Sequence, residues 1–272
     1  MGRYYRGGSE YHLSFRITYM VKWLLIINVA VFFLQILSRT AFGADYLVYY
    51  FGLTSPLVLR GMIWQPFTYM FLHDDLGHIF WNMFGLWMFG RDIEEAWGPR
   101  SFLTYYLFTG TGAGILSFFA GLGSIVPTIG ASGAIFAILL AYGMLFPNNI
   151  VLLLFVFPMR ARNVVILFGA FELWMTLAAG PQAGGVARLA HLGGMGFGYL
   201  YIKYGDWMRQ RLPRIRINLG SRRGSSEEDW ERFMHEEVDP ILEKIGREGI
   251  HSLTWKERKI LKKARGRRKA GR

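Results

Sequence analysis

The chain has 272 residues, of which 52% are hydrophobic and 17% aromatic, and this composition is too apolar for an ordinary soluble domain of its size. The formal net charge is +12, but residues 203–272 alone hold 20 Lys or Arg against 11 Asp or Glu. A basic tail that faces anionic lipid therefore explains the charge, and no nucleic-acid partner is expected.

Six runs of at least about 16 residues with few charged side chains predict six transmembrane helices. They lie at 20–38, 76–93, 101–120, 132–147, 163–179 and 188–204. The sequence thus divides into a lead at 1–19, a six-helix membrane domain at 20–204 and a basic tail at 205–272.

The positions of Lys and Arg predict the orientation of these spans. Short cytoplasmic loops and flanks are enriched in both residues, and here they occur before the first span, after the second and fourth spans, and in the tail. We expect a multi-pass membrane protein with both termini in the cytoplasm, in a bacterial plasma membrane. No cleavable signal precedes the first span, which we interpret as a retained helix.

The first loop contains two apolar segments, at 46–51 and 64–71. Both are too short to cross a bilayer, so we expect them to lie in the interface or to pack on the helix bundle. The polar residues His73, Asp74 and Asp75 then form the expected mouth of a water-accessible region at the start of the second span.

Two polar side chains, His78 and Asn82, interrupt the second span. Four residues apart on a helix, they lie on one face and point at the same spot. Polar groups in a membrane are costly without partners, which favours a functional cavity over a purely structural pair. A metal site is not expected, because His73 and His78 lie five residues apart and no carboxylate shares their face.

The fourth span begins at Ser132, between Gly130 and Gly133. The glycines leave the backbone around the hydroxyl open and suit a sharp entry into a helix. A helix ending near Phe146 is only about 22 Å long, short of the ~30 Å hydrocarbon core. Non-helical backbone at Gly121–Ala131 is therefore expected to line a cavity below the outer surface. Taken alone, the motif also fits a mere small-residue helix contact.

The fifth span carries Glu172 in mid-run, and the sixth span carries His191 near its start. No partner for Glu172 is evident in the sequence, and we interpret it as a structural glutamate, protonated or hydrogen-bonded. His191 lies one turn before Gly194, and Gly194 and Gly198 form a small-residue face for close helix contact. Since spans four and six run in the same direction, Ser132 and His191 are expected at similar depth.

Three motifs in this order resemble the rhomboid family of intramembrane serine proteases. They are His78-Ile-Phe-Trp-Asn82, Gly130-Ala-Ser132-Gly133 and Ala190-His191-Leu-Gly-Gly194-Met-Gly-Phe-Gly198. The resemblance implies an all-α bundle of six transmembrane helices with a short central fourth helix. It also implies an endopeptidase that cleaves transmembrane segments of membrane proteins, with no cofactor.

By the same resemblance Ser132 is the nucleophile and His191 the general base. The side chains of His78 and Asn82, with the Ser132 backbone N–H, would form the oxyanion hole. No third carboxylate is evident near His191, so its orientation would depend on stacking against Phe136 and on the helix contact at Gly194. Phe136 stands where some members of the family have Tyr.

Two other positions match the family less closely. Glu94 resembles an acidic residue at the cytoplasmic end of the second span that ties down the first loop, although Glu95 is adjacent. Some members have Trp-Arg in that loop, whereas this chain has Trp64-Gln65, which puts the anchoring of the loop in doubt.

The tail contains two sequences with the spacing of capping boxes, at Ser225 and Thr254. They predict amphipathic helices at 226–247 and 254–265, followed by a disordered end at 265–272. Two other functions stay open from the residues: a catalytically inactive rhomboid-like protein that binds membrane clients, and a small transporter.

Overall fold

A computed structural model describes residues 17–153, 156–179, 183–211 and 232–270. The chain forms two compact units, Met1–Arg211 and Leu212–Arg272. The predicted lead lies almost entirely outside the described residues.

Nine helices are found in the described part of the first unit, apart from one short 3-10 turn at Tyr69–Phe71. They are α1 (Tyr19–Phe42), α2 (Tyr46–Phe51), α3 (Ser55–Leu59), α4 (Gln65–Thr68), α5 (Leu76–Trp97), α6 (Pro99–Ala120), α7 (Ser132–Leu145), α8 (Ala161–Ala179) and α9 (Ala183–Arg211). The mostly helical architecture confirms the predicted fold class. Six helices of this unit have 14 or more residues, and they lie at the six predicted spans. Helix α9 continues past the predicted end at Tyr204.

Among the described residues, three helices are long and apolar enough to cross a membrane by length and composition: α1, α6 and α8. Helix α7 is apolar but has only 14 residues. Helices α5 and α9 are less hydropathic because they carry histidines, glycines, charged side chains and, in α5, an asparagine. The number of six transmembrane helices therefore stays a prediction.

The short helix α7 lies inside the bundle, where it packs against α5, α6, α8 and α9. Its buried side chains are mostly small or branched, including Ala134, Ala137, Ile138 and Ala141. Small residues let helix backbones approach closely where apolar lipid supplies no driving force for association. The backbone before α7, Gly121–Ala131, is non-helical as predicted.

The first loop is fixed by the residue that the sequence left in doubt. The buried Gln65 side chain accepts a hydrogen bond from the Thr54 N–H at 3.0 Å and donates one to the Tyr49 carbonyl at 3.1 Å. Trp64 donates its indole N–H to the Tyr50 carbonyl at 2.8 Å. An amide with both donor and acceptor capacity thus anchors the loop without arginine.

A short strand pair, which the sequence did not predict, lies outside the helical bundle. The segment between the fourth and fifth spans is an antiparallel hairpin of β1 (Ile150–Leu153) and β2 (Phe157–Arg160). In a short apolar run, the periodicity of the sequence does not distinguish a strand from other structures. The β-branched residues Ile150 and Val151 favour a strand and were the sequence feature that could have predicted it.

Glu94 has a different structural role from the expected one. Its buried carboxylate accepts hydrogen bonds from the backbone N–H groups of Met20 and Val21, both at 2.9 Å, and from the Thr18 hydroxyl. These are free donors of the first turn of α1, which the helix itself cannot satisfy. Glu94 therefore ties α5 to the start of α1 and not to the first loop.

Replacing Glu94 by Gln is expected to destabilise the membrane domain by about 1–3 kcal/mol, because a neutral amide leaves part of these buried donors unpaired. Thermal unfolding in detergent micelles measures the change. Glu95→Gln is the matched control, since Glu95 is exposed on the same turn. Equal midpoints for the two variants would contradict this role of Glu94.

The second unit is helical where it is described. A π-helical turn at Met234–Val238 leads into α10 (Asp239–Glu248), and α11 follows at Trp255–Ala270. The first predicted tail helix begins outside the described residues. Helix α11 continues to Ala270, into the segment that we expected to be disordered, since Lys and Arg are good helix formers.

The predicted capping box at the start of α11 is present. The Thr254 backbone N–H donates to the Glu257 carboxylate at 2.6 Å, and the Glu257 N–H donates to the Thr254 hydroxyl at 3.3 Å. Glu257 also pairs with Lys244 of α10 at 3.0 Å. These hydrogen bonds lower the pKa of the Glu257 carboxyl to about 2.

Candidate active site

The structure brings Ser132 and His191 together. Ser132 is the first residue of α7, and His191 lies on α9. The distance from Ser132 Oγ to His191 Nε2 is 2.7 Å, a hydrogen bond in which the neutral imidazole accepts the hydroxyl proton if Nδ1 carries the ring hydrogen. A hydroxyl and a basic nitrogen at this distance are the pair that nucleophilic catalysis needs.

The glycine before the serine is required by the local backbone. Gly130 has φ +121°, a conformation that L side chains rarely adopt, and a Cβ there would lie 2.6 Å from His78 Nε2. Its N–H donates to the Tyr69 carbonyl at 3.0 Å, which ties the turn to the first loop. Gly130 therefore lets the His78 ring reach the entrance of α7.

Three other glycines of the motifs, Gly133, Gly194 and Gly198, lie where helices touch. A Cβ on Gly194 would lie 1.8 Å from the Gly133 carbonyl oxygen, so α7 and α9 meet backbone to backbone. A Cβ on Gly198 would lie 2.5 Å from the Tyr105 hydroxyl oxygen, and one on Gly133 would lie 2.7 Å from Ala113 Cβ. This close packing sets the separation of Ser132 and His191.

His78 and Asn82 face the same cavity as the serine. Asp75 caps α5 by accepting the His78 N–H at 2.9 Å, and this hydrogen bond lowers the pKa of the Asp75 carboxyl. The Asp74 N–H points at His78 Nδ1 at 3.5 Å, which favours the tautomer with hydrogen on Nε2. Asn82 donates one amide hydrogen to the His78 carbonyl at 2.9 Å and keeps a second donor.

His73 does not lie at the mouth of the cavity as expected. Its side chain is fully buried, and its ring packs edge to face on His78 with 5.1 Å between ring centroids. Burial, with a contribution from His78, lowers the pKa of His73 to about 3, so the ring is neutral at physiological pH. Asp74 and Asp75 are exposed at the mouth.

Phe136 stacks on the catalytic candidate His191. The two ring centroids are 4.4 Å apart and the rings are nearly parallel, at 8°. Phe136 also meets Phe168 of α8 edge to face at 6.3 Å. This contact fixes the plane of the imidazole.

A carboxylate lies beside the other imidazole nitrogen, which the sequence did not reveal. Glu172 Oε1 of α8 is 3.1 Å from His191 Nδ1, and Glu172 is 8% exposed. The expectation that no carboxylate lies near His191 is therefore wrong, and the unnamed partner of Glu172 is this histidine. The only signal in the sequence was a lone glutamate in an apolar span.

These groups line one cavity of about 660 Å³. Ser132, His191, His78 and Asn82 lie on its wall together with apolar side chains of α5 and α8, and β1 contributes residues at its margin. The first N–H groups of α7 have no partner within the helix, and they lie at the positive end of its dipole. The cavity thus combines a nucleophile, a base and several donors with an apolar lining.

Comparison with known protein families agrees with the motifs. The rhomboid domain matches residues 60–205, which include every residue of the site. A family of unknown function (DUF6576) matches residues 231–264 of the tail.

Individual relatives show the same similarity. The chain is 32% identical over 156 residues to Rhomboid protein 1, mitochondrial, of Saccharomyces cerevisiae, covering 56% of this chain and 44% of that protein. It is 29% identical over 215 residues to RHOMBOID-like protein 12, mitochondrial, of Arabidopsis thaliana, covering 73% and 60%. It is 31% identical over 115 residues to Rhomboid protease GluP of Bacillus subtilis, covering 42% and 22%. The chain thus matches less than two thirds of the length of each relative.

Proposed function

The chain belongs to the rhomboid family, and from this membership we propose that it is an intramembrane serine endopeptidase that cleaves transmembrane segments of membrane proteins. The observation that carries the proposal is the 2.7 Å hydrogen bond between Ser132 Oγ and His191 Nε2 inside a cavity of the helix bundle. One relative, from Bacillus subtilis, is itself named a protease.

In the proposed reaction His191 Nε2 removes the Ser132 hydroxyl proton as the oxygen attacks the scissile carbonyl carbon. The imidazolium then gives this proton to the leaving amine, and an acyl-enzyme remains. Water, activated by the same nitrogen, releases the acyl group and restores the hydroxyl. Ser132 is the nucleophile, and His191 acts as base and acid in turn.

The proposed oxyanion hole lies at the entrance of α7. The Ser132 backbone N–H supplies one donor with a favourable helix dipole, and the His78 Nε2–H and the second Asn82 amide hydrogen supply others. The capped first turn of α5 fixes His78 beside Gly130. Donors held in place before the reaction stabilise the developing charge without reorganisation.

The proposed route of the substrate is lateral. The cavity is lined by Trp81, Phe84 and Met88 of α5 and by Val164 and Phe168 of α8. An apolar lining of this kind suits a transmembrane segment that arrives between helices, and the exposed Asp74 and Asp75 suit the entry of water from the surface.

Replacing Asn82 by Ala is expected to slow turnover by ~10²- to 10³-fold, because the loss of one oxyanion donor costs about 3 kcal/mol of barrier. The assay is cleavage of a reconstituted single-span substrate. Thr109→Ala, which removes a buried hydroxyl that bonds only within its own helix, is the control. Unchanged turnover in Asn82→Ala would remove Asn82 from the hole.

Covalent labelling of Ser132 by a fluorophosphonate probe tests the proposed activity directly. We expect labelling of the parent protein and none of the His191→Ala variant, since the serine is unreactive without its base. A catalytically inactive client-binding protein would show no labelling in either, and a transporter would move solute whether or not Ser132 is present.

We further propose that the tail binds anionic lipid, because it holds most of the net positive charge of the chain. Binding to vesicles with phosphatidylserine that does not weaken as salt rises would contradict this. The cytoplasmic location of both termini stays a prediction, and so does the bacterial plasma membrane, since two relatives are named mitochondrial and one is bacterial.

A further inference from the structure

Glu172 is a buried carboxylate whose nearest partner is the base of the proposed reaction. Its Oε1 lies 3.1 Å from His191 Nδ1. Within the described residues, neither Nδ1 nor the second carboxylate oxygen has a hydrogen-bond partner, and both are buried. A buried polar atom without a partner is costly. A hydrogen bond from Nδ1–H to the carboxylate would satisfy both groups.

We propose that Glu172 is a positioning residue that holds His191 in the tautomer with hydrogen on Nδ1 and aims Nε2 at Ser132, a role that rests on the function proposed above. The carboxylate does not touch the substrate or the reacting atoms. It acts through the imidazole, as an orienting acid group acts on a metal-binding or catalytic histidine.

Two constraints together fix the imidazole. Stacking on Phe136 sets the plane of the ring but not the directions of Nδ1 and Nε2 within that plane. In the proposed role, a hydrogen bond from Nδ1–H to the carboxylate, whose Oε1 lies 3.1 Å away, fixes these directions. Phe168, one turn before Glu172 on α8, supports Phe136, so a single helix supports both constraints.

The present geometry needs only a small adjustment. The 3.1 Å contact lies within hydrogen-bond distance, but the Nδ1–H direction is not aligned on Oε1. The terminal torsion of glutamate is broad, so a rotation of the carboxylate aligns one oxygen at little cost. Catalytic hydrogen bonds commonly tighten only when substrate is bound.

The positioning role of Glu172 does not change the proton transfers of the proposed reaction. The Ser132 hydroxyl proton moves to Nε2 and later to the leaving amine. The hydrogen on Nδ1 stays on the ring throughout and is shared with the carboxylate. The Glu172 carboxylate accepts this hydrogen and lies beside the imidazolium that forms.

The first test is the Glu172→Gln variant with a reconstituted single-span substrate. We expect kcat to fall by ~10²-fold or more with KM nearly unchanged, because a neutral amide holds the Nδ1–H less strongly than a carboxylate and does not offset the charge of the imidazolium. Glu172→Asp keeps the charge and is expected to restore part of kcat. Thr176→Ala is the matched control and should keep full activity, since Thr176 lies one turn further on α8 and its hydroxyl donates to the Glu172 backbone carbonyl.

The second test needs no change at Glu172. Nitrogen NMR of ¹⁵N-histidine-labelled protein, with the His191 signals identified by difference from His191→Gln, reports which ring nitrogen carries the hydrogen. Hydrogen on Nδ1 supports the proposal, and a neutral ring with hydrogen on Nε2 overturns it even if Glu172→Gln fails to fold.

The two proposals fail in different ways. If the parent protein shows no cleavage that depends on Ser132, the proposed protease function is wrong. If the parent cleaves its substrate and Glu172→Gln matches it in kcat, the protease function stands and the positioning role of Glu172 is wrong.

Discussion

The Ser132→Ala variant is expected to fold like the parent and to lose cleavage of a reconstituted single-span substrate by at least ~10⁴-fold. Removing the nucleophile of a serine hydrolase leaves only the residual acceleration from oxyanion donors and binding. The change deletes one oxygen at the first position of α7, which contributes its backbone and not its side chain to the helix. A time course of cleavage in proteoliposomes, with the product quantified from gel bands, measures the loss of activity.

The neighbouring Ser124→Ala variant is the control for this experiment. Ser124 lies in the non-helical segment before α7 and accepts one backbone N–H, from Val126 at 3.2 Å. It should cleave at the parental rate. Full activity in Ser132→Ala, with Ser124→Ala also active, would show that the hydroxyl is not the nucleophile and would sink the proposed mechanism.

The pairing of Ser132 with His191 could be predicted because so few polar residues interrupt the spans. Ser132 and His191 each have glycines nearby in the sequence. Their helices run in the same direction, so both residues are expected at a similar depth in the membrane. The resemblance of three motifs to the rhomboid family then implied the proposed roles. The predicted short fourth helix and the non-helical segment before it also follow from length alone.

The partners of the two buried glutamates could not be predicted. Glu94 bonds to residues more than 70 positions away at the start of α1, and Glu172 meets His191 only through the rotation of α8 about its axis. A lone acidic residue in an apolar run has no motif that names its partner. Helix rotation is set by packing of the whole bundle, which periodicity does not resolve.

The hairpin and the burial of His73 were missed for a related reason. The strands are short apolar runs that hydropathy does not separate from interfacial segments. His73 was placed with two neighbouring aspartates at a polar mouth, yet its ring is turned inward against His78. Adjacent residues in a turn point in different directions, so sequence proximity did not report side-chain direction.

Gly194 is expected to tolerate no side chain, because α7 and α9 meet there backbone to backbone. In Gly194→Ala the added Cβ would lie 1.8 Å from the Gly133 carbonyl oxygen, and neither backbone yields as a flexible side chain would. The helices must separate, at a cost of about 3 kcal/mol or more from overpacking. Separation also moves His191 away from Ser132, and a shift of about 1 Å costs ~10²-fold in rate.

Gly196→Ala on the same helix separates this clash from the general effect of replacing a helical glycine. A Cβ on Gly196 meets nothing within 4 Å, and alanine is the better helix former by about 1 kcal/mol. This control should be as stable as the parent or more stable, with equal activity, by thermal unfolding in micelles and by substrate cleavage. If Gly194→Ala behaves like Gly196→Ala, then α7 and α9 are not in backbone contact, and the separation of nucleophile and base is set by other parts of the bundle.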